Sequence, residues 1–133
     1  MERWDMVCKA LISVGGAAVS YLFGGWSVLL RVLLAFVVID YISGVLAAWK
    51  EGKLSSFTGL FGIAKKVFIF AMVAVAHLVD SALGDAHLFR DATVFFYMAN
   101  ELLSIVENSG RIGLPVPPPM RQAVEVLKGK GDK

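Results

Sequence analysis

Five polar side chains stand inside otherwise apolar stretches of this chain: Asp40, His77, Asp80, Asn100 and Glu101. Asp40 is the one charged residue between Val32 and Trp49. A carboxylate at the middle of a bilayer-length helix costs about 2.5–3.5 kcal/mol on insertion scales. A buried, unpaired ion costs too much to persist, so such groups neutralise, pair or face water. Two kinds of role follow for the five residues: lining a water-filled path or acting as a protonation trigger, or being satisfied structural groups inside a helical bundle. Other chemistries lack their parts. His77 has no neighbours at metal-ligand spacing and His87 falls in a turn, so no metal is expected. No Ser or Cys triad, glycine-rich phosphate loop or His-Glu cluster occurs, and Gly59-x-x-Gly62 reads as a loop. The chain is expected to be no enzyme and to need no cofactor.

The elements that must carry these groups are hydrophobic. Of 133 residues 57% are hydrophobic and 18% charged, against about 45–50% and 25% in soluble domains. Mean hydropathy is +0.69. The pattern predicts an all-α integral membrane protein with spans at about 4–23, 28–49, 63–83 and 88–106. Residues 1–114 form the membrane domain, and 115–133 a Pro-rich, basic tail. Gly24-Gly25-Trp26-Ser27 and Gly84-Asp85-Ala86-His87 are short turns, and a polar loop covers Lys50 to Gly62. Pro117-Pro118-Pro119 reads as an extended strut, followed by a weakly amphipathic helix from Met120 to Leu127 and a frayed charged end. Gly15, Gly16 and Lys9 weaken the first segment, so a three-span form with that segment along the interface is the alternative.

Charge orients the chain, because loops facing the cytoplasm carry the excess of Lys and Arg. With four spans and both termini inside, every basic residue but Arg31 and Arg90 falls on the cytoplasmic side. Trp4 and Trp49 then lie at the inner boundary and Trp26 at the outer one, where aromatic belts form. Asp40 and Glu101 each lie about 12 residues, roughly 18 Å of helix rise, from the outer end of their spans. They share a depth. Lys50, Lys53, Lys65 and Lys66 read as topogenic anchors that reach lipid headgroups. Arg31 or Arg90 has the option of pairing with Asp80 or of snorkelling to the interface. Small residues four apart, Gly16-Ser20-Gly24, Ser43-Ala47 and Gly44-Ala48, mark faces for close helix packing, within a subunit or between subunits. Cys8 is the only cysteine, so no disulfide forms within the chain. The net charge of +2 is dispersed and gives no case for nucleic acid.

Several phrases recur in a set order. They are Asp40-Tyr41-Ile42-Ser43-Gly44-Val45-Leu46-Ala47-Ala48, then Lys53-Leu54-Ser55-Ser56 and Gly62-Ile63-Ala64-Lys65-Lys66. Ala76-His77-Leu78-Val79-Asp80 follows, then Phe95 to Glu101, Ser104 to Asn108, and Gly113-Leu114-Pro115-Val116-Pro117. Together, over about residues 25–128, they resemble the bacteriophage holin family, which includes holin-like proteins of clostridial toxin secretion. The resemblance implies a homo-oligomeric pore former of the bacterial cytoplasmic membrane. It would release an endolysin or a toxin at a timed threshold, without necessarily touching it, and lead to host cell lysis. Its partners would be itself and membrane lipids. It brings no catalytic or ligand-binding residue. From the residues alone, a small proton-coupled transporter or ion channel is the rival, and a membrane adaptor using the proline strut is a third reading.

Overall fold

The computed structural model describes residues 2–84 and 86–129. Five helices follow one another: α1 (Glu2–Phe23), α2 (Val28–Lys50), α3 (Ser56–Leu83), α4 (Leu88–Ile112) and α5 (Pro118–Gly129). The expected charged end past Gly129, and Asp85 in the second turn, lie outside the described residues.

Three helices are built on seams whose members lie three, four or seven residues apart. On α2 the seam is Leu30, Leu33, Val37, Asp40, Gly44 and Ala47. On α3 it is Lys66, Val73, His77 and Asp80, and on α4 it is Arg90, Val94, Glu101 and Asn108. This spacing keeps side chains on one face of an α-helix. Leu30, Leu33, Val37, Val73 and Val94 form the apolar core, with Phe70, Tyr97 and Met98 packed against it. Polar residues occupy the same seams above and below that core. α2 and α4 pack along their length, and α3 leans on α4 more than on α2.

α1 differs from the others. It is one unbroken helix through Gly15 and Gly16, and none of its residues is buried. It meets the bundle mainly at α3. Phe23 and Trp26 pack against Phe70, and Arg90 Nη1 donates to Phe23 O at 2.8 Å. α1, α2 and α3 are each long and apolar enough to cross a membrane. α4 has the length, 25 residues. Its charges (Arg90, Asp91, Glu101, Glu107 and Arg111) keep its composition below that mark.

Two local expectations fail. The loop expected over Lys50–Gly62 is short, because α3 starts at Ser56. Ser55 is its N-cap, accepting from Thr58 N at 3.1 Å, and an N-cap serine satisfies a backbone donor that would otherwise end the helix there. The proline strut is also shorter. Pro118 and Pro119 open α5, where a fixed φ and a missing N–H cost nothing. The helix expected in the tail is present, and Val124 is buried.

Candidate functional site: a charged layer in the bundle

The middle of the bundle holds three charges from three helices. Lys66 Nζ on α3 donates to Asp40 Oδ2 on α2 at 2.6 Å and to Glu101 Oε2 on α4 at 2.9 Å. The side chains are 17%, 8% and 7% exposed. All three lie ten or eleven residues from the helix ends beside the α2–α3 loop, roughly 15 Å of rise, which places them in one layer. One lysine meets two carboxylates, so the layer is not neutral while both acids are ionised.

From this layer a polar chain runs toward the α2–α3 loop. Asn108 Nδ2 donates to Asp40 Oδ1 at 2.9 Å, and also approaches Asp40 O and Ser43 Oγ. Arg111 Nη1 donates to Asn108 Oδ1 at 3.1 Å, and Arg111 forks onto Glu51 with its closest contact at 2.7 Å. The Arg111 hydrogen bonds hold the Glu51 carboxyl below its ordinary value. Lys50 Nζ donates to Ile112 O at 2.7 Å and ties the ends of α2 and α4 together. Glu101, Lys66, Asp40, Asn108, Arg111 and Glu51 thus form one connected network.

Three crevices meet at Lys66. One, of about 610 Å³, lies between α3 and α4 and is lined by Asn100, Glu101, Ser104 and Tyr97. A second, of about 400 Å³, opens beside the α2–α3 loop. The third is apolar, about 300 Å³, between Val37, Val38, Ile63 and Phe70. α3 therefore meets α2 here through the Lys66–Asp40 pair and through Tyr41, whose hydroxyl donates to Gly59 O at 3.2 Å.

The candidates from sequence divide into two groups. Asp40 and Glu101 come together, with Asn100 exposed beside them. Asp80 and His77 lie at the other end of the bundle. Asp80 accepts from Phe89 N and Arg90 N, both at 2.8 Å, and so caps α4 from the neighbouring helix. His87, at the start of α4, makes no side-chain cap bond of its own. Neither arginine pairs with the Asp80 carboxylate through its guanidinium among the described residues. Arg31 is exposed, and Arg90 turns to Asp91 and Phe23 O. His77 is buried and stacks on His87, 5.7 Å between centroids, against Gly24. Of the small-residue ladders, Ser43, Gly44, Ala47 and Ala48 pack inside the bundle or line its crevices, whereas Gly16 and Ser20 are exposed, and Gly24 is exposed but sits against His77.

Lys66 is the partner that charge counting assigned elsewhere. The expectation made it a headgroup anchor like Lys65; it turns inward. Its seam was readable: Lys66 lies seven residues before Val73 and fourteen before Asp80, while Lys65 falls off that stripe. Asn108 and Arg111 were missed because the fourth span was ended at residue 106, whereas α4 continues to Ile112.

A bundle with apolar helices outside and charges paired inside suits a helical membrane protein. The chain belongs to the bacteriophage holin family, whose sequence profile matches residues 17–129. It is 37% identical to a probable holin of Bacillus phage phi105, over 86% of this chain and 84% of that one. An uncharacterized protein of Halalkalibacterium halodurans is 49% identical, over 97% of this chain and 99% of its own length. A 14.9 kDa protein encoded in the nagH 3' region of Clostridium perfringens, also uncharacterized, is 37% identical over 86% and 88%. No solved structure matches the chain.

Proposed function

We propose that this protein is a holin: a multi-pass protein of the bacterial cytoplasmic membrane whose copies assemble into a lesion. The lesion releases an endolysin, or a secreted toxin, without requiring direct contact, and host cell lysis follows. The observation that carries the reading is the Lys66–Asp40–Glu101 layer in a holin-family chain. Before opening, each bundle masks its own charges, so copies accumulate without leak. At threshold density α3 separates from α2, and the layer, with Asn100 and Ser104, faces water between subunits. The energised membrane biases the closed form, since moving one charge through 100 mV is worth about 2.3 kcal/mol. No enzymatic step and no nucleic acid enter this mechanism.

The topology that suits it has four spans and both termini inside. α4 then crosses by packing its charged seam against α2 and α3, which an isolated helix of its composition would not do. The basic residues of the α2–α3 loop and the tail face the cytoplasm. The exposed α1, with Gly16 and Ser20 on its surface, offers a face to lipid or to another subunit.

The test is size selectivity in proteoliposomes loaded with a small dye and a folded murein hydrolase. Release of both above a threshold protein density supports a holin. A transporter or ion channel would retain the enzyme, and that outcome would overturn the proposal.

A further inference from the structure

The crevice beside the α2–α3 loop has a charge imbalance that the masked layer does not explain. Four cations line its 400 Å³: Lys53, Lys65, Lys66 and Arg111. Asp40 is the one carboxylate in the lining, and it is already engaged by Lys66 and Asn108. Lys66 is neutralised in the layer and Arg111 by Glu51. Lys53 and Lys65 remain: among the described residues neither forms an ion pair, Lys53 acts on Glu51 only from a longer range, and Lys65 lies over the Phe61 ring at 5.9 Å. Thr58 also lines the crevice. Its Oγ1 accepts from Ser55 Oγ at 2.8 Å and keeps its own proton to donate. The N-terminus of the 28-residue α3 lies alongside, adding partial positive charge.

We propose that this crevice binds a phosphate group, with Lys53 and Lys65 as its cations and Thr58 as a neutral donor, and that an anionic membrane lipid supplies it. A phosphate presents several acceptor oxygens, matching two ammonium groups and a hydroxyl from different elements. Depth favours a lipid as the source. α3 is about 42 Å long, against about 30 Å of hydrocarbon and 40–45 Å with headgroups, so its first turns reach the headgroup zone. The depth argument rests on the membrane orientation proposed above; the charge argument does not. A bound headgroup would hold α3 beside the α2–α3 loop and oppose the separation that opens the lesion.

The experiment measures binding to the purified full-length protein in nanodiscs, so it is independent of lysis. Phosphatidylglycerol is compared with phosphatidylcholine by native mass spectrometry. Each lysine near the surface contributes about fivefold in affinity, so Lys53→Gln/Lys65→Gln should lower the preference for phosphatidylglycerol about 25-fold. The control pair Arg3→Gln/Lys9→Gln, at the start of α1 and outside the crevice, should lower it clearly less. Lys53→Arg/Lys65→Arg should retain most of it, which separates lost charge from misfolding. Millimolar inorganic phosphate is the second arm. Failure of phosphate to displace the lipid supports the lipid as source, and displacement at that concentration supports a free phosphate instead. Equal losses in the lysine and control pairs, or no wild-type preference with no phosphate binding, would overturn the site.

Discussion

Lys66→Met removes the one cation of the charged layer while keeping a long, unbranched side chain. Asp40 and Glu101, 8% and 7% exposed, then lose their shared partner. Removing one member of a buried ion pair costs about 3–5 kcal/mol, because the remaining charge is left uncompensated. The carboxylates have one escape, which is to take up protons. For a carboxyl of ordinary pKa at pH 7 this costs roughly 4 kcal/mol, and about 8 kcal/mol for both, so protonation does not bring the penalty below that range. Asn108 still donates to Asp40 and moderates the loss there. The expected destabilisation is therefore about 3–5 kcal/mol. Thermal or denaturant unfolding of detergent-purified protein, followed by tryptophan fluorescence, reads it. The triple variant Lys66→Met/Asp40→Asn/Glu101→Gln removes all three charges and should recover most of the stability, since whole-network replacement is often near neutral. In cells, Lys66→Met should trigger lysis early, because the closed bundle is the form it weakens. A Lys66→Met protein within about 0.5 kcal/mol of wild type would refute the reasoning, as would a triple variant no more stable than the single.

Three smaller perturbations follow from the same geometry. Asp80→Ala removes the cap of α4 and should cost about 0.5–2 kcal/mol, with faster amide exchange at Phe89 and Arg90 as the local readout. Gly24→Ala puts a Cβ at 2.5 Å from His77 Cε1 in a backbone at φ +71°, so thermal stability should fall by at least about 1 kcal/mol. Glu51 has a lowered folded pKa, so the folded state binds fewer protons than the unfolded one. Its contribution is present above its ordinary value of 4.5 and lost as pH falls through the lower, folded pKa. Glu51→Gln should therefore flatten the acid limb of a stability–pH profile and leave its neutral limb parallel to wild type.

The fold was legible where seams are regular. The 3–4 spacing on α2 from Leu30 to Ala47 and the glycine turns at Gly24 and Gly84 locate the helices from residue types alone. The shared depth of Asp40 and Glu101 was also readable, because depth follows from residue count along a helix. Lys66 was lost through the assumption that a lysine near a loop seeks headgroups. Once Ser55 is taken as an N-cap, Lys66 is three turns into α3 and on the same stripe as Asp80. The role of Asp80 was not legible at all. Its carboxylate caps a helix that begins eight residues later, and only the turn between α3 and α4 brings the two together. The Pro-Pro start of α5 was readable as a helix N-terminus, but a run of three prolines points equally to an extended strand.

The central claim is that the charged layer is closed off from the outer face in the intact bundle and meets outside water when the lesion opens. Accessibility at Ser104, which lines the crevices next to Lys66, tests it most directly. In a Cys8→Ser background, Ser104→Cys is challenged during induced expression with a membrane-impermeant thiol reagent applied from outside the cell. The account predicts no labelling before the membrane potential collapses and rapid labelling once it has. Continued protection of Ser104→Cys after enzyme release would contradict it.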